Sequence, residues 1–230
     1  MEKVARANPK LQFALIDAVV TLPNVQSILF KEHEGSFLVG MLAAMASKTG
    51  KVGFIGGMDI PLIRKFQCGY EQGARYANPK VEVTMNMTGT TPAAWNDPTR
   101  GSELAKAQFA KGVDVVFAAA GGTGIGVYQA AKDSGRYAIG VDSNQNHLQP
   151  GTMLTSMVKR VDVAVARAMK GVTPGLTVLG LADNAVDYAL DEHNAKLITP
   201  EMKKRVDAAK ADIIAGKIKV IDYMAGNACK

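Results

Sequence analysis

The sequence is short of the residues that build metal centres and disulfide frameworks. It holds two cysteines and three histidines. Cys68 falls on the inner side of a helical pattern, and Cys229 stands one residue from the end. No C-x-x-C or Cys/His spacing marks a metal, and nothing in the spacing of two distant cysteines indicates a bridge between them. His33, His147 and His193 are scattered and read as structural or exposed side chains. Long apolar runs are absent too. The longest, "SFLVGMLAAMA" from Ser36 to Ala46, falls short of the roughly 18 residues of a membrane span and reads as a buried helix. The opening "MEKVARANPKLQFALIDAVV" has no apolar segment before a small-residue cleavage site, so it does not read as a signal peptide. Taken literally, such a chain stays in the cytoplasm. Aromatic residues make up only 6% and do not interleave with basic ones, while the net charge of +6 is spread along the chain. Together these argue against a nucleic-acid partner; a basic balance of this kind reflects solubility or compartment.

What is present is a regular alternation. The chain of 230 residues has room for one large domain or two small ones. Near-continuous apolar runs, "QFALIDAVV", "VQSILF", "KVGFIGG", "VEVTMNM", "VDVVFAAA", "YAIGVD" and "TMLTSMV", read as strands buried on both faces. Helical patterns lie between them. In "DIPLIRKFQCGYEQGARYA", Ile63, Phe66, Tyr70 and Ala74 recur at helical steps, with Asp59 placed to cap and Pro61 in the first turn. Asp97 is placed to cap the next helix, Thr123 the one after the glycine-rich loop, and Thr199 the last, ahead of Pro200. Strand–helix–strand repetition implies parallel βαβ units and an α/β fold. Four strands and three helices between Lys51 and Asp142 suffice for one doubly wound lobe; the set before Lys51 is partial.

Open parallel sheets bind ligands beyond the carboxyl ends of their strands. Those ends carry Asp17, then Met58 and Asp59, then Trp95, Asn96 and Asp97, the loop "GGTGIG", Asp142, and finally Lys159 and Arg160. The loop sits where a dinucleotide fingerprint belongs. However, Gly122-x-Gly124 meets Val127 in the third glycine position, and Gly124-x-Gly126 meets Gln129. A tight strand-to-helix turn would use the same glycines. No lysine follows as in a phosphate loop, no G-x-S-x-G elbow occurs, and no acid pair is specified by spacing. The rim therefore reads as a binding site rather than a catalytic one. Asp142 and Lys159 can accept from and donate to vicinal hydroxyls, and Trp95 offers a flat apolar face. A salt-bridged surface pair and a Trp packed in a turn would account for the same residues.

At this point several long stretches resemble the basic membrane protein family, substrate-binding components of ABC importers that include purine-nucleoside receptor lipoproteins. They are "FKEHEGSFLVGMLAAMASKTGKVGFIGGMDIPLIRKFQCGYEQGARYANP", "TGTTPAAWNDPTRGSELAKAQFAKGVDVVFAAAGGTGIGVYQAA", "YAIGVDSNQN" and "GTMLTSMVKRVDVAV". The resemblance implies a type I periplasmic-binding-protein fold: two doubly wound parallel-sheet lobes joined by a hinge, closing on a nucleoside or related purine. It implies ribose contacts at Asp142 and Lys159, base stacking at Trp95, where many relatives have Phe, and a cleft lined by Gly121 and Gly122, with Asp17 a weaker member. It implies ABC permease partners, an extracytoplasmic, periplasmic or membrane-anchored location, no catalysis, no cofactor and no metal.

Relatives open with a signal peptide and a first-lobe segment of the "D-x-S-F-N" kind. This chain lacks that segment, by roughly 80 to 100 residues, and its first lobe is expected to be incomplete at the N-terminus. On that reading residues 1–49 form a partial first lobe, 50–152 the second lobe, and 153–230 the hinge crossings and return segment. The exposed sheet edges would leave these residues alone binding poorly. Two other classes use the same features: a nucleotide-dependent α/β oxidoreductase, and a cytoplasmic ligand sensor of the same fold.

Overall fold

The computed structural model describes residues 1–229. The elements run α1 (Glu2–Ala7), β1 (Phe13–Ile16), β2 (Val25–Phe30), α2 (Glu32–Ala46), β3 (Lys51–Met58), α3 (Pro61–Ala77), β4 (Glu82–Gly89) and α4 (Pro98–Ala110). They continue with β5 (Val115–Ala119), α5 (Gly124–Asp133), β6 (Tyr137–Asp142), β7 (Met153–Lys159), α6 (Val161–Lys170), β8 (Gly175–Leu179), β9 (Val186–Tyr188), α7 (Pro200–Ile214) and α8 (Tyr223–Gly226). All seven strands read from the sequence are there, and β2 and β6 match their runs residue for residue.

Two sheets form. β1, β2 and β8 make a three-stranded parallel sheet, in that order. The second has six strands in the order β4-β3-β5-β6-β7-β9, all parallel except β9, which runs antiparallel on β7. Alternate side chains of the larger sheet feed two cores. Phe54, Phe117 and Ile139 point to a face covered by α2, α3 and α7; Ile55, Val116 and Ala118 point to the face covered by α4 and α5. Helix α2 follows β2 in the chain yet packs against α3, β7 and α7. It is buried along almost its whole length, its charged first turn included, and from Phe37 onward it is apolar on every side.

Of the four helix caps read from the sequence, two form and two do not. Asp97 accepts from Arg100 N at 2.9 Å and Thr199 from Met202 N at 3.2 Å, as N-caps do. Asp59 does not cap α3. Its carboxylate takes a bidentate pair of bonds from Arg64, Nε and Nη2 each at 2.7 Å, and a guanidinium fork outcompetes two backbone amides. Thr123 does not cap α5 either: its hydroxyl donates to Ala94 O at 2.8 Å and accepts from Asp97 N at 2.7 Å, tying two loops together.

The cysteines, left open by their spacing, are bridged. Cys68 in α3 pairs with Cys229 with Cα atoms 5.1 Å apart, across 161 residues of chain. The bridge fixes the C-terminal segment against α3.

Candidate functional site

Two sheets meeting at the carboxyl ends of their strands leave a cavity of about 180 Å³. Asp17, Trp95, Gly121, Asp142 and Lys159 all line it, joined by Leu62, Ile63, Phe66, Ala119 and Val141. Gly122 stands behind the wall, where a Cβ would meet Asn96 Oδ1 at 3.1 Å. Asp59 and Asp97 are spent on the bonds described above, and Arg160 pairs with Asp162 at 2.7 Å.

The polar end is a cluster of three charges from three strands. Lys159 Nζ donates to Asp17 Oδ2 at 2.7 Å and lies 3.8 Å from Asp142 Oδ1. The ammonium also lies over two aromatic rings, with Nζ 5.5 Å from the centroid of Phe30 and 6.0 Å from that of Phe66. Burial pulls the ammonium down, but Asp142 and Asp17 outweigh it and hold Lys159 above its ordinary pKa. Burial pushes the Asp142 carboxyl up; Lys159 opposes and Asp17 adds to the shift. The carboxylate nonetheless keeps 53% of its side-chain surface open at the cavity mouth.

Both aspartates sit in the left-handed region, φ +62° for Asp17 and +65° for Asp142. Few residues other than glycine tolerate this, Asp among them, and held strain of this kind concentrates at ligand sites. Around Asp142 the three amide side chains of "DSNQN" are consumed by structure. Gln145 Oε1 accepts from Val141 N at 3.0 Å and from the Tyr128 hydroxyl at 2.7 Å. Asn144 and Asn146 both donate to Asp191, at 2.6 and 3.0 Å. That framework leaves Asp142 as the member of the loop that lines the cavity.

The apolar end is made by Trp95 and α3. Trp95 closes a 3₁₀ turn, Pro92–Trp95, whose Ala94 carbonyl accepts from the hydroxyls of Thr88 and Thr123 at 3.0 and 2.8 Å. The indole lies on Gly57 at the end of β3, so closely that a Cβ there would come 2.2 Å from its Cζ3. Ile63 and Phe66 were legible only as part of a helical core stripe, and Leu62 was not singled out; their role facing the cavity needed the sheet's position.

Gly121 of the glycine loop lines the cavity, and the glycines beyond it serve packing. Gly126 meets the backbone of α4, and a Cβ would stand 1.8 Å from Pro98 O. Val127, where the dinucleotide pattern wants glycine, is fully buried. Elsewhere, a recess of about 240 Å³ opens at the opposite end of the large sheet. Its carboxylate, Asp114, is already taken by Ser47 Oγ at 2.6 Å and by the amides of Lys48 and Thr49 at 2.7 and 3.0 Å. Asp191, Glu192 and His193 gather on the surface, with Asp191 committed to Asn144, Asn146 and the His193 amide.

Two parallel-dominated α/β sheets with the cavity at their carboxyl ends define a type I periplasmic-binding-protein fold. A solved solute-binding protein of an ABC transporter system from Aeropyrum pernix K1 superposes with a TM-score of 0.86 at 31% identity, over 96% of this chain and 73% of that one. Residues 1–220 match the family model Bmp, "ABC transporter substrate-binding protein PnrA-like", and the chain belongs to that family. Among curated relatives, the CD4+ T-cell-stimulating antigen of Listeria monocytogenes is 37% identical over 96% of this chain. The ABC transporter nucleoside-binding protein BmpA of Lactococcus lactis is 36% identical over 94% of it. This chain spans 66% of the length of each of these two relatives. The family is one of transporter substrate-binding proteins, not of enzymes. No helix among the described residues is long and apolar enough to cross a membrane.

Proposed function

We propose that this chain captures a nucleoside or related purine for an ABC importer, outside the cytoplasmic membrane, and presents it to permease subunits. The observation that carries the reading is the polarity of the cavity at the strands' carboxyl ends. An indole and aliphatic side chains occupy one end; two strand-end carboxylates and an ammonium occupy the other. A ribose offers vicinal hydroxyls that donate to Asp142 and Asp17 and accept from Lys159. A purine offers a flat face to Trp95. The Gly121 backbone comes close to the ligand because no side chain intervenes. Asp17 lies on the small sheet and Asp142 on the large one, so a ligand bridging them favours an arrangement with the sheets drawn together. The Lactococcus relative, a nucleoside-binding protein by name, supports nucleosides as the class.

The test is a ligand panel read by calorimetry and by thermal shift. Adenosine, guanosine, inosine, uridine, the free bases and unrelated sugars and amino acids are each added to the purified full-length protein. A purine nucleoside is expected to raise the melting temperature and to lose its effect in Asp142→Ala. A panel that leaves the melting temperature unchanged throughout overturns the reading.

A further inference from the structure

Glu32 is the first residue of α2, and its side chain has no exposure to solvent. Two ammonium groups face it. Lys65 Nζ lies 3.1 Å from Oε2, and Lys159 Nζ lies 3.9 Å from Oε1. Neither carboxylate oxygen has a hydrogen-bond partner. Lys65 is itself buried; it donates to Phe30 O at 2.6 Å and approaches Asp222 at 3.6 Å. His33 places Nδ1 3.9 Å from Asp222, and burial lowers its pKa to about 4, so it adds no charge at neutral pH. A row of alternating charges thus runs from Asp17 and Asp142 through Lys159, Glu32 and Lys65 to Asp222.

A carboxylate buried in this way is a poor device for stability, because ion pairing repays its desolvation only in part. It does supply one thing an apolar residue cannot, a pull on Lys159 from behind the cavity wall. Without it, every carboxylate acting on Nζ lies on the ligand side, and the ammonium is drawn into them. We propose that Glu32 is a positioning residue: it holds Lys159 at the cavity floor, so that the ammonium can donate to a ligand hydroxyl instead of being wholly engaged by Asp17 and Asp142. This rests on the diol reading above.

The experiment compares whichever of adenosine, guanosine, inosine and uridine binds the wild type with its 2′,3′-dideoxy counterpart. The wild type is expected to prefer the riboside about tenfold or more, the worth of a charged hydrogen bond. Glu32→Gln should bring the two ligands within about threefold of each other, chiefly by weakening the riboside. Glu32→Asp, which keeps the charge, should retain the preference. Equal weakening of both ligands in Glu32→Gln, or an undiminished preference, overturns the inference while the diol reading stands. If Glu32→Gln does not fold, Glu32→Asp decides: a retained preference supports the assignment and a lost one overturns it. A wild type that binds both ligands alike overturns the diol reading itself, and this inference with it.

Discussion

Lys159 Nζ donates to Asp17 Oδ2 at 2.7 Å, and that bond joins the end of β7 in the large sheet to the end of β1 in the small one. Asp142, at 3.8 Å, is the looser partner of the same ammonium. The looser carboxylate is the one free to accept from a ligand. Its pKa is raised by burial and by Asp17, which fixes the sign of its effect on stability. A carboxyl raised in the folded state favours folding below its unfolded pKa and loses that contribution as pH rises through its folded pKa. At neutral pH the ionised Asp142 therefore costs stability. Asp142→Asn should leave the melting temperature equal or higher at neutral pH, with less advantage at acid pH, while riboside affinity falls about tenfold or more. Parallel thermal and calorimetric measurements check this. A variant that loses stability at neutral pH contradicts it.

Trp95 and Gly57 make a second pair with consequences. The indole rests where a Cβ on Gly57 would stand. Stacking of a base on an aromatic ring is worth about 1–3 kcal/mol, so Trp95→Ala should weaken a purine nucleoside roughly 5- to 150-fold, and Trp95→Phe much less. Gly57→Ala should act at a distance, displacing the ring and weakening base and nucleoside alike. Trp95 is the sole tryptophan, so its emission reports binding without a label.

His33 predicts an acid limb. Burial depresses its pKa from 6.5 to about 4 even against the pull of Asp222. The unfolded chain then binds a proton that the folded chain refuses. Stability from this group is fully present above pH ~6.5 and is lost as pH falls through the folded value, by about 3 kcal/mol in all. The raised carboxyls of Asp142 and Glu32 work in the opposite sense. The informative quantity is therefore the difference between wild type and His33→Gln. That difference should shrink between pH 6.5 and 4, measured by denaturant unfolding at fixed temperature.

The parts of this molecule that could be read from residues were those with a local cause. β6 is a bounded apolar run, and Asp142 is the polar residue that ends it; strand ends in an open parallel sheet are where ligands lie. Lys159 and Trp95 follow by the same logic. The parts that could not be read depend on tertiary placement. From Phe37 onward α2 is apolar on every side, so its sequence names no partner face. β9 has three residues, too few for a pattern, and β8 is largely exposed rather than buried on both faces as the strands read from the sequence were expected to be. Asp59 looks like a cap until Arg64 is seen to reach it. Glu32 stands beside other charges in "KEHEG", and only the docking of α2 on α3 and β7 shows that it is buried between two lysines.

The Cys68–Cys229 bridge carries the last prediction. It closes 161 residues of chain and pins the segment that brings Asp222 to Lys65. A cross-link over so long a loop restricts the unfolded chain, and its loss costs about 2–5 kcal/mol in comparable cases. Thiol titration of the native, unreduced protein should therefore find no free cysteine, and both should appear after reduction in denaturant. Cys229→Ser should lower the melting temperature by several degrees, ~2–8 °C per kcal/mol lost depending on domain size. The loosened tail should also withdraw Asp222 from Lys65. If Glu32 then draws Lys65 more strongly, the effect on ligand affinity should be smaller than that of Glu32→Gln. A tail variant that abolishes riboside preference as fully as Glu32→Gln would place the control of Lys159 at Asp222 instead.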